Sequence, residues 1–482
     1  MGKQSLRFCF ACLIATFGRE TLIQGAEPAA KTLSERYADA AKHIIDATLE
    51  GNDAWKKMEE LCDGIGNRLS GSASLEKAVR WAVETLKADS QDNVHAEKVM
   101  VPRWVRGEES LVMSKPRRHP IAMMGLGGSI GTPPEGITAS VVVVRDEREL
   151  EALGDGAKGR IVLFNNPMPP YDPVKGAGYG RTVRFRGRGA MLAAGKGAVA
   201  CLVRSVTAHS LRSPHTGAMH AYEDTDRKIP AAAVSIEDAE IIARLSARGK
   251  EVVVTLKMAA RSEGEAPSAN VIGELRGSEL PDEIVVIGGH LDSWDVGQGA
   301  HDDGGGCVIS MEAIHVLRKL NLIPRRTIRV VLFTNEENGL AGGHAYAETH
   351  LKDKHIAAIE ADSGIFQPLG FSLDVRNPSK AVRANQQLKD LLTLLKPIGA
   401  TEVRDGGSGA DISPMKRRGP ALLGLRVEGS KYFNYHHSQA DTLDKIDPDD
   451  LSRCVATMAV TAYVIADMPW ALGDPPQPAD EP

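Results

Sequence analysis

Along the first ninety positions, apolar residues recur at helical spacing. Ala38, Ile44, Ile45 and Leu49 form one set and Leu75, Val79, Ala82 and Leu86 another. The spacing predicts helices over 32–62 and 72–88, with Gly64, Gly66 and Gly71 marking a loop between them. From about residue 115 the texture changes. Short β-branched runs (Val141–Val144, Ile161–Phe164, Val252–Thr255) alternate with Gly and Pro turns, which predicts a strand-rich module over 115–262. Arg261 to Ser268, carrying Gly264 and Pro267, reads as the seam at its end. Beyond it the pattern is strand, loop, helix, repeated. Glu283–Gly288, Thr327–Thr334 and Ile356–Ala361 read as strands, and Cys307–Leu320 and Leu340–His350 as helices. That alternation predicts an α/β fold, a sheet with helices packed against it. Residues 469–482, with five Pro and three acidic residues, read as a disordered tail.

At the N-terminus Lys3 and Arg7 precede the apolar run Phe8 to Gly18, and small residues follow around Gly25-Ala26. This is the pattern of a secretory signal, expected over 1–26, and it places the mature protein outside the cell or in a periplasm. The run of 11 residues is too short for a membrane span, which needs about 20. No other stretch is long and apolar enough, so no membrane anchor is expected once the signal is removed. Hydrophobic residues at 42% and charged residues at 25% exclude a disordered chain. The 58 basic against 63 acidic side chains are too balanced for a protein built to hold nucleic acid. Cys62, Cys201, Cys307 and Cys454 lack any C-x-x-C spacing and form no zinc knuckle.

In open α/β sheets ligands bind beyond the carboxyl ends of the strands. Here those ends carry metal-competent side chains. The first strand delivers Gly289-His290-Leu291-Asp292, and His301-Asp302-Asp303-Gly304-Gly305-Gly306 opens the next helix. The second strand runs into Asn335-Glu336-Glu337-Asn338-Gly339, and the third into Glu360-Ala361-Asp362-Ser363-Gly364. Much later comes His436-His437-Ser438-Gln439-Ala440-Asp441-Thr442. Each piece alone is weak, since an Asp before Gly-Gly is commonly a helix cap and paired Glu a solvated turn. Gathered at one sheet edge, so many carboxylates repel one another unless cations lie between them. Imidazole and carboxylate donors without thiolates suit an open catalytic zinc site.

These motifs resemble the co-catalytic di-zinc M28 peptidases, and in particular their subgroup typified by carboxypeptidase Q, a secreted dipeptidase. Gly66-Asn67-Arg68-Leu69-Ser70-Gly71-Ser72, Ser213-Pro214-His215-Thr216-Gly217, Ile229-Pro230-Ala231-Ala232 and Ala269-Asn270-Val271-Ile272-Gly273-Glu274 extend the resemblance over about 35–470. It implies a mixed β-sheet flanked by helices, with peptidase segments at 32–114 and 267–468 and an inserted β-rich protease-associated domain at 115–262. It implies two zinc ions per chain: His290 and Asp362 on one, Glu337 and His437 on the other, and Asp302 bridging both. Glu336 is the implied general base. On the residues alone Glu336 and Glu337 could exchange roles, and His436 competes with His437. The family's His-Ser/Thr-x-x-Asp-Thr pattern matches from His437, which leaves His436 to packing or a wall of the site. Asp292 is expected beside the ligands, accepting the other ring N–H of His290 and fixing its tautomer. The chemistry agrees with these roles: a metal ion lowers the pKa of water from 15.7 toward about 7, and a free carboxylate can relay its proton to the leaving amine. The expected activity is exopeptidase action on short peptides, dipeptides first. Aminopeptidase or aminoacyl-transfer chemistry on the same metals, and a non-catalytic receptor relative, are the alternatives. Oligomeric state, a homodimer included, stays open.

Other signals fall away. Gly154-Asp155-Gly156-Ala157-Lys158-Gly159 matches a dinucleotide fingerprint in letters but precedes its strand, whereas the motif must follow one. No H-E-x-x-H occurs. Arg181, Arg184, Arg186 and Arg188 form a basic stripe, read as a solvated surface in preference to a substrate-carboxylate site. Asp405–Met415, rich in Gly, reads either as a loop over the cleft or as an ordinary turn.

Overall fold

The computed structural model of the chain describes residues 31–220 and 227–475. The signal expected over 1–26 therefore lies outside the described residues. After the helices Leu33–Glu50, Asp53–Cys62 and Ala73–Ala88 comes the long strand β1 (Asp92–Val105). Eight strands follow: β2 (Glu109–Lys115), β3 (His119–Ile121), β4 (Met123–Gly125), β5 (Ile137–Val144), β6 (Ile161–Phe164), β7 (Ala200–Arg204), β8 (Ala231–Val234) and β9 (Val253–Met258). The chain then continues through β10 (Arg261–Leu275), β11 (Leu280–His290), β12 (Arg326–Phe333), β13 (Lys354–Glu360), β14 (Pro368–Asp374), β15 (Glu402–Asp405) and β16 (Ala421–Val427).

Two eight-stranded sheets result. The first has the order β1-β10-β12-β11-β13-β16-β14-β15 and the second β3-β2-β9-β5-β6-β7-β8-β4. Both are mixed. In the first, β11 runs parallel to β12 and to β13, and β13 parallel to β16, while β10 is antiparallel to β12. The near-continuous apolar run of β11 follows from burial on both faces. Val285 and Ile287 face the core shared with the helices Gly305–Lys319 and Pro448–Asp467, and Ile284 and Val286 face a second core with Phe333 and Tyr346. The second sheet has its own cores, one of which also takes in Leu69, Trp104 and Trp294 from outside that sheet. From Thr32 onward the described residues form one compact unit.

Four details differ from the sequence reading. The helix expected over 32–62 breaks at Gly51-Asn52, because Gly51 leaves the helix in an extended conformation and a new helix starts at Asp53. The seam at Arg261–Ser268 is instead the first half of β10, paired with β1 from Arg261 through Ser268. The second sheet accordingly spans 109–258, so the module edges at 115 and 262 each move by several residues. The described part of the tail expected over 469–482 is packed: Leu472 is buried in the core, and the Gly473 amide donates to the Gln387 side chain at 2.7 Å. Cys62, Cys201, Cys307 and Cys454 are free and buried.

Candidate metal centre

The register of the parallel strands sets the site. His290 pairs with Phe333 and Gly288 with Glu360, so β11, β12 and β13 finish at one edge and their loops leave together. His290 is the last residue of β11. Its amide donates to Asp303 Oδ2 at 3.0 Å, and its ring Nδ1 lies 2.9 Å from the Asp292 carbonyl. A carbonyl only accepts, so Nδ1 carries the proton and Nε2 is left with a lone pair facing the cleft. Asp302 lies in the kinked turn Ala300–Gly304, joined to Asp303 by a cis peptide bond. The Asp441 carboxylate fixes this turn, accepting the amides of His301 at 2.7 Å and Asp302 at 3.2 Å.

Asp302 occupies the middle of the cluster. Its Oδ1 is 3.3 Å from His290 Nε2 and its Oδ2 is 3.3 Å from His437 Nε2. On one side Asp362 Oδ1 lies 3.7 Å from His290 Nε2; on the other Glu337 Oε2 lies 3.0 Å from His437 Nε2. Glu336 Oε2 is 3.9 Å from His290 Nε2 and stays partly open to solvent. All the expected ligands and Glu336 are thus brought together in one cleft. His436 stacks on the His437 ring at 3.6 Å between centroids, and its Nε2 stands 3.7 Å from Asp302 Oδ2.

The donor set suits divalent cations. His290 Nε2, Asp302 Oδ2, Glu337 Oε1 and Asp362 Oδ1 are buried and have no hydrogen-bond partner among the described residues. Burial, together with the Asp302 charge, pushes the Glu337 carboxyl up to about 7. Burial likewise raises Glu336, reinforced by Asp362 and Glu337. Burial opposes a charge on His290, yet the Asp302 and Asp362 carboxylates standing close to Nε2 outweigh it and hold the ring well above the ordinary imidazole range. A cleft that forces its own acids to hold protons lacks positive charge, and bound cations supply it.

Asp292 does something other than expected. Its carboxylate is 3.9 Å from His290 Nδ1, and the ring proton goes to its backbone carbonyl instead. The carboxylate accepts the amides of Glu336 at 3.0 Å and Glu337 at 3.3 Å, and the Ser70 hydroxyl at 3.1 Å. It therefore orients the two glutamates, while its main chain sets the His290 tautomer.

The second sheet's loops reach the same cleft. His437 sits at φ +59, in the left-handed region, and this turn is braced from outside. The Thr216 amide donates to the His437 carbonyl at 2.9 Å, and His215 Nδ1 donates to the His436 carbonyl at 2.7 Å. Burial drives the His215 ring down to about 4, so it stays neutral. Arg186 is buried, its Nη1 3.2 Å from His437 Nδ1, whereas Arg181, Arg184 and Arg188 are exposed. The solvated-stripe reading fails for Arg186 because its helix turns that one position inward. Sequence reasoning quoted Asp303 and Asp441 among the site motifs without giving them a role, and it missed Ser70, His215 and Arg186 as parts of the site. Ser70, His215 and Asp441 lie inside stretches the resemblance covers, but nothing in the stripe singles out Arg186.

Beside Asp362 opens a cavity of about 390 Å³, lined among others by Ser363, Arg404, Ser408 and Arg426. Its floor is held by Glu360, whose carboxylate accepts the amides of Ala410 and Ile412, both at 2.9 Å. Residues 405–409 of the Gly-rich segment form part of its wall.

The model of peptidase family M28 matches residues 270–462. Carboxypeptidase Q of Mus musculus is 43% identical over 437 residues, covering 90% of each chain, and that of Homo sapiens is 42% identical over 89% of each. Among solved structures, a peptidase M28 precursor from Shewanella amazonensis superposes with a TM-score of 0.85 at 36% identity, covering 92% of this chain and all of that one. A zinc aminopeptidase from Bacillus subtilis shares the fold at a TM-score of 0.62 and 19% identity, covering 90% of this chain and 97% of its own. With near-complete coverage of its relatives at more than 40% identity, the chain belongs to peptidase family M28, as a metallo-exopeptidase of the carboxypeptidase Q group.

Proposed function

We propose that the chain is a zinc-dependent exopeptidase acting on short peptides, dipeptides foremost, and that it holds two zinc ions. His290 and Asp362 would hold one, His437 and Glu337 the other, and Asp302 would be shared. The observation that carries this reading is the Asp302 carboxylate standing 3.3 Å from each of two imidazole nitrogens, with buried donor atoms around it that have no hydrogen-bond partner among the described residues. Zinc at these positions supplies Lewis acidity to the scissile carbonyl and makes attack by water feasible near neutral pH.

The chain's own residues do the rest. Glu336 stands over the same cleft, its backbone pinned to Asp292, and its carboxylate takes the proton of the attacking water and passes it to the leaving amine. The cavity beside Asp362 has the volume for a side chain of the substrate. The segment 1–26 with its Lys3, Arg7 and apolar run supports export, and the second sheet is read as the inserted protease-associated module.

The test combines metal and turnover. Elemental analysis of the purified protein should find two zinc per chain, and a dipeptide should be hydrolysed. Glu336→Gln should keep both metals and lose about 100- to 10,000-fold in turnover. Normal turnover in that variant removes Glu336 as the base, and a metal-free wild type that still cleaves dipeptides sinks the whole reading.

A further inference from the structure

We propose that the cavity beside Asp362 receives the side chain on the amino side of the scissile bond, and that Arg426 and Arg404 make it select an acidic one, aspartate or glutamate; this rests on the peptidase reading above. Strand register builds the cavity. Glu360 pairs with Gly424 on the parallel strand β16, so Arg426, two residues on, stands at the same sheet edge as Asp362, two residues past Glu360. Gly424 and Arg426 lie opposite Ser372 and Gly370 on β14, which in turn lie opposite Arg404 and Glu402 on β15. Paired residues share a face of the sheet. Gly370, Ser372 and Gly424 thus form a low floor between two guanidinium groups. The other face carries Phe371, Leu373 and Leu425 into the main core. Asp405 belongs to that face, its carboxylate 3.5 Å from Asn385 Nδ2 of the helix Pro378–Leu392. The acid next to Arg404 is therefore turned away from the cavity.

The side-chain charges left around the cavity are those of Glu360, Asp362, Arg404 and Arg426. Neither acid is free for a cationic guest. The Glu360 carboxylate is buried and already accepts the amides of Ala410 and Ile412, and Asp362 is a proposed zinc ligand. The two arginines share one partner, Glu402, whose Oε2 lies 2.8 Å from Arg426 Nη1 and 3.5 Å from Arg404 Nη2. Glu402 stands outside the cavity lining and its side chain is 46% exposed, so it holds them weakly. One carboxylate between two guanidinium groups leaves a positive charge and unused N–H donors. A substrate carboxylate in the cavity gains charge-assisted, bidentate hydrogen bonds from them. An apolar side chain gains little there. Leu425 is the one large apolar residue in the lining, and its side chain is committed to the core on the other face.

The experiment uses the zinc-loaded full chain with glutamyl-alanine, glutaminyl-alanine and leucyl-alanine as probes. The first two have side chains of the same shape and differ in charge. The wild type should favour glutamyl over glutaminyl by about 10- to 100-fold in kcat/KM, mostly through KM. In Arg426→Met that ratio should fall toward one while zinc content stays at the wild-type level, and Arg426→Lys should recover part of it. Glu402→Gln releases both guanidinium groups and should raise the ratio. Equal handling of the first two probes by the wild type overturns the proposal, as does a preference for leucyl-alanine over glutamyl-alanine. So does an Arg426→Met variant in which all three rates fall by the same factor, the mark of a merely structural role. If that variant does not fold, the wild-type ratio and Arg404→Met decide. If none of the probes is hydrolysed, the peptidase reading falls, and calorimetric binding of glutamyl-alanine against glutaminyl-alanine still judges the cavity by itself.

Discussion

At the scale of single residues, the centre depends on a few side chains that never meet substrate. Asp292 uses three acceptors at once: its carbonyl for His290, and both carboxylate oxygens for the Glu336 and Glu337 amides and Ser70. Asp292→Asn preserves the carbonyl but replaces one oxygen with a donor, which faces an N–H it cannot bond. Loss of such supporting contacts typically costs 10- to 100-fold in metal affinity or activity, so a drop of about that size in turnover is expected, with His290 still correctly oriented. Zinc titration against a competing chelator, run beside a kinetic assay, checks it; unchanged values for both would show that Asp292 is incidental. Asp302→Ala makes a sharper statement, because a shared ligand takes both metals with it. Two zinc per chain in that variant would contradict sharing. The residue identities at the centre were readable because acids and imidazoles at strand ends have little structural reason to gather. The partner of each ring nitrogen was not readable, since it depends on loop geometry that sequence spacing does not encode. Arg186 stayed hidden for the related reason that inward and outward positions of a short, Gly-rich helix look alike in a basic stripe.

Among elements, Arg68 shows how a loop is turned into a rigid platform. The side chain is fully buried, and its guanidinium donates to the carbonyls of Leu291, Gly66, Gln298 and Gly299 at 2.7–2.9 Å. It thereby ties the connection between His290 and Asp302 to the loop that follows the helix Asp53–Cys62. Arg68→Met keeps the length and removes every donor, leaving the Leu291, Gly66 and Gln298 carbonyls unpaired, while that of Gly299 keeps the Gly304 amide. The expected destabilisation exceeds about 3 kcal/mol, readable as a lower midpoint in urea unfolding, with weaker zinc retention as a consequence. A variant as stable as wild type would mean that water replaces the guanidinium there. Elements with strong apolar periodicity, such as the strands ending at His290 and Phe333, were legible because burial on both faces demands such runs. The strands Asp92–Val105 and Arg261–Leu275 were not: residues 261–267 of the second are exposed or half-buried and pair with the first, so charge, Gly264 and Pro267 are tolerated where a core strand would exclude them.

For the whole molecule, the electrostatics of the centre couple metal content to stability and pH. Without cations, burial raises Glu337, Glu360 and Asp441 to about 7 each, neighbouring carboxylates adding to the effect. Their ordinary values, which the unfolded chain keeps, are 4.5 for Glu and 3.8 for Asp. A group whose folded value is raised stabilises the fold below its unfolded value and loses that contribution as pH climbs toward the folded one. The metal-free protein should therefore become less stable between about pH 4 and 7, as these carboxyls are forced to ionise in a crowded cleft. Zinc reverses the sign for the carboxylates around it, since ligands must be deprotonated and binding releases protons. The gap in melting temperature between zinc-loaded and chelator-treated protein should thus widen steadily from pH 5 to pH 7.5 at fixed free zinc. A gap that stays constant, or narrows, would mean that the acidic cluster is already compensated within the chain, and the case for cations at Asp302 would lose its electrostatic footing.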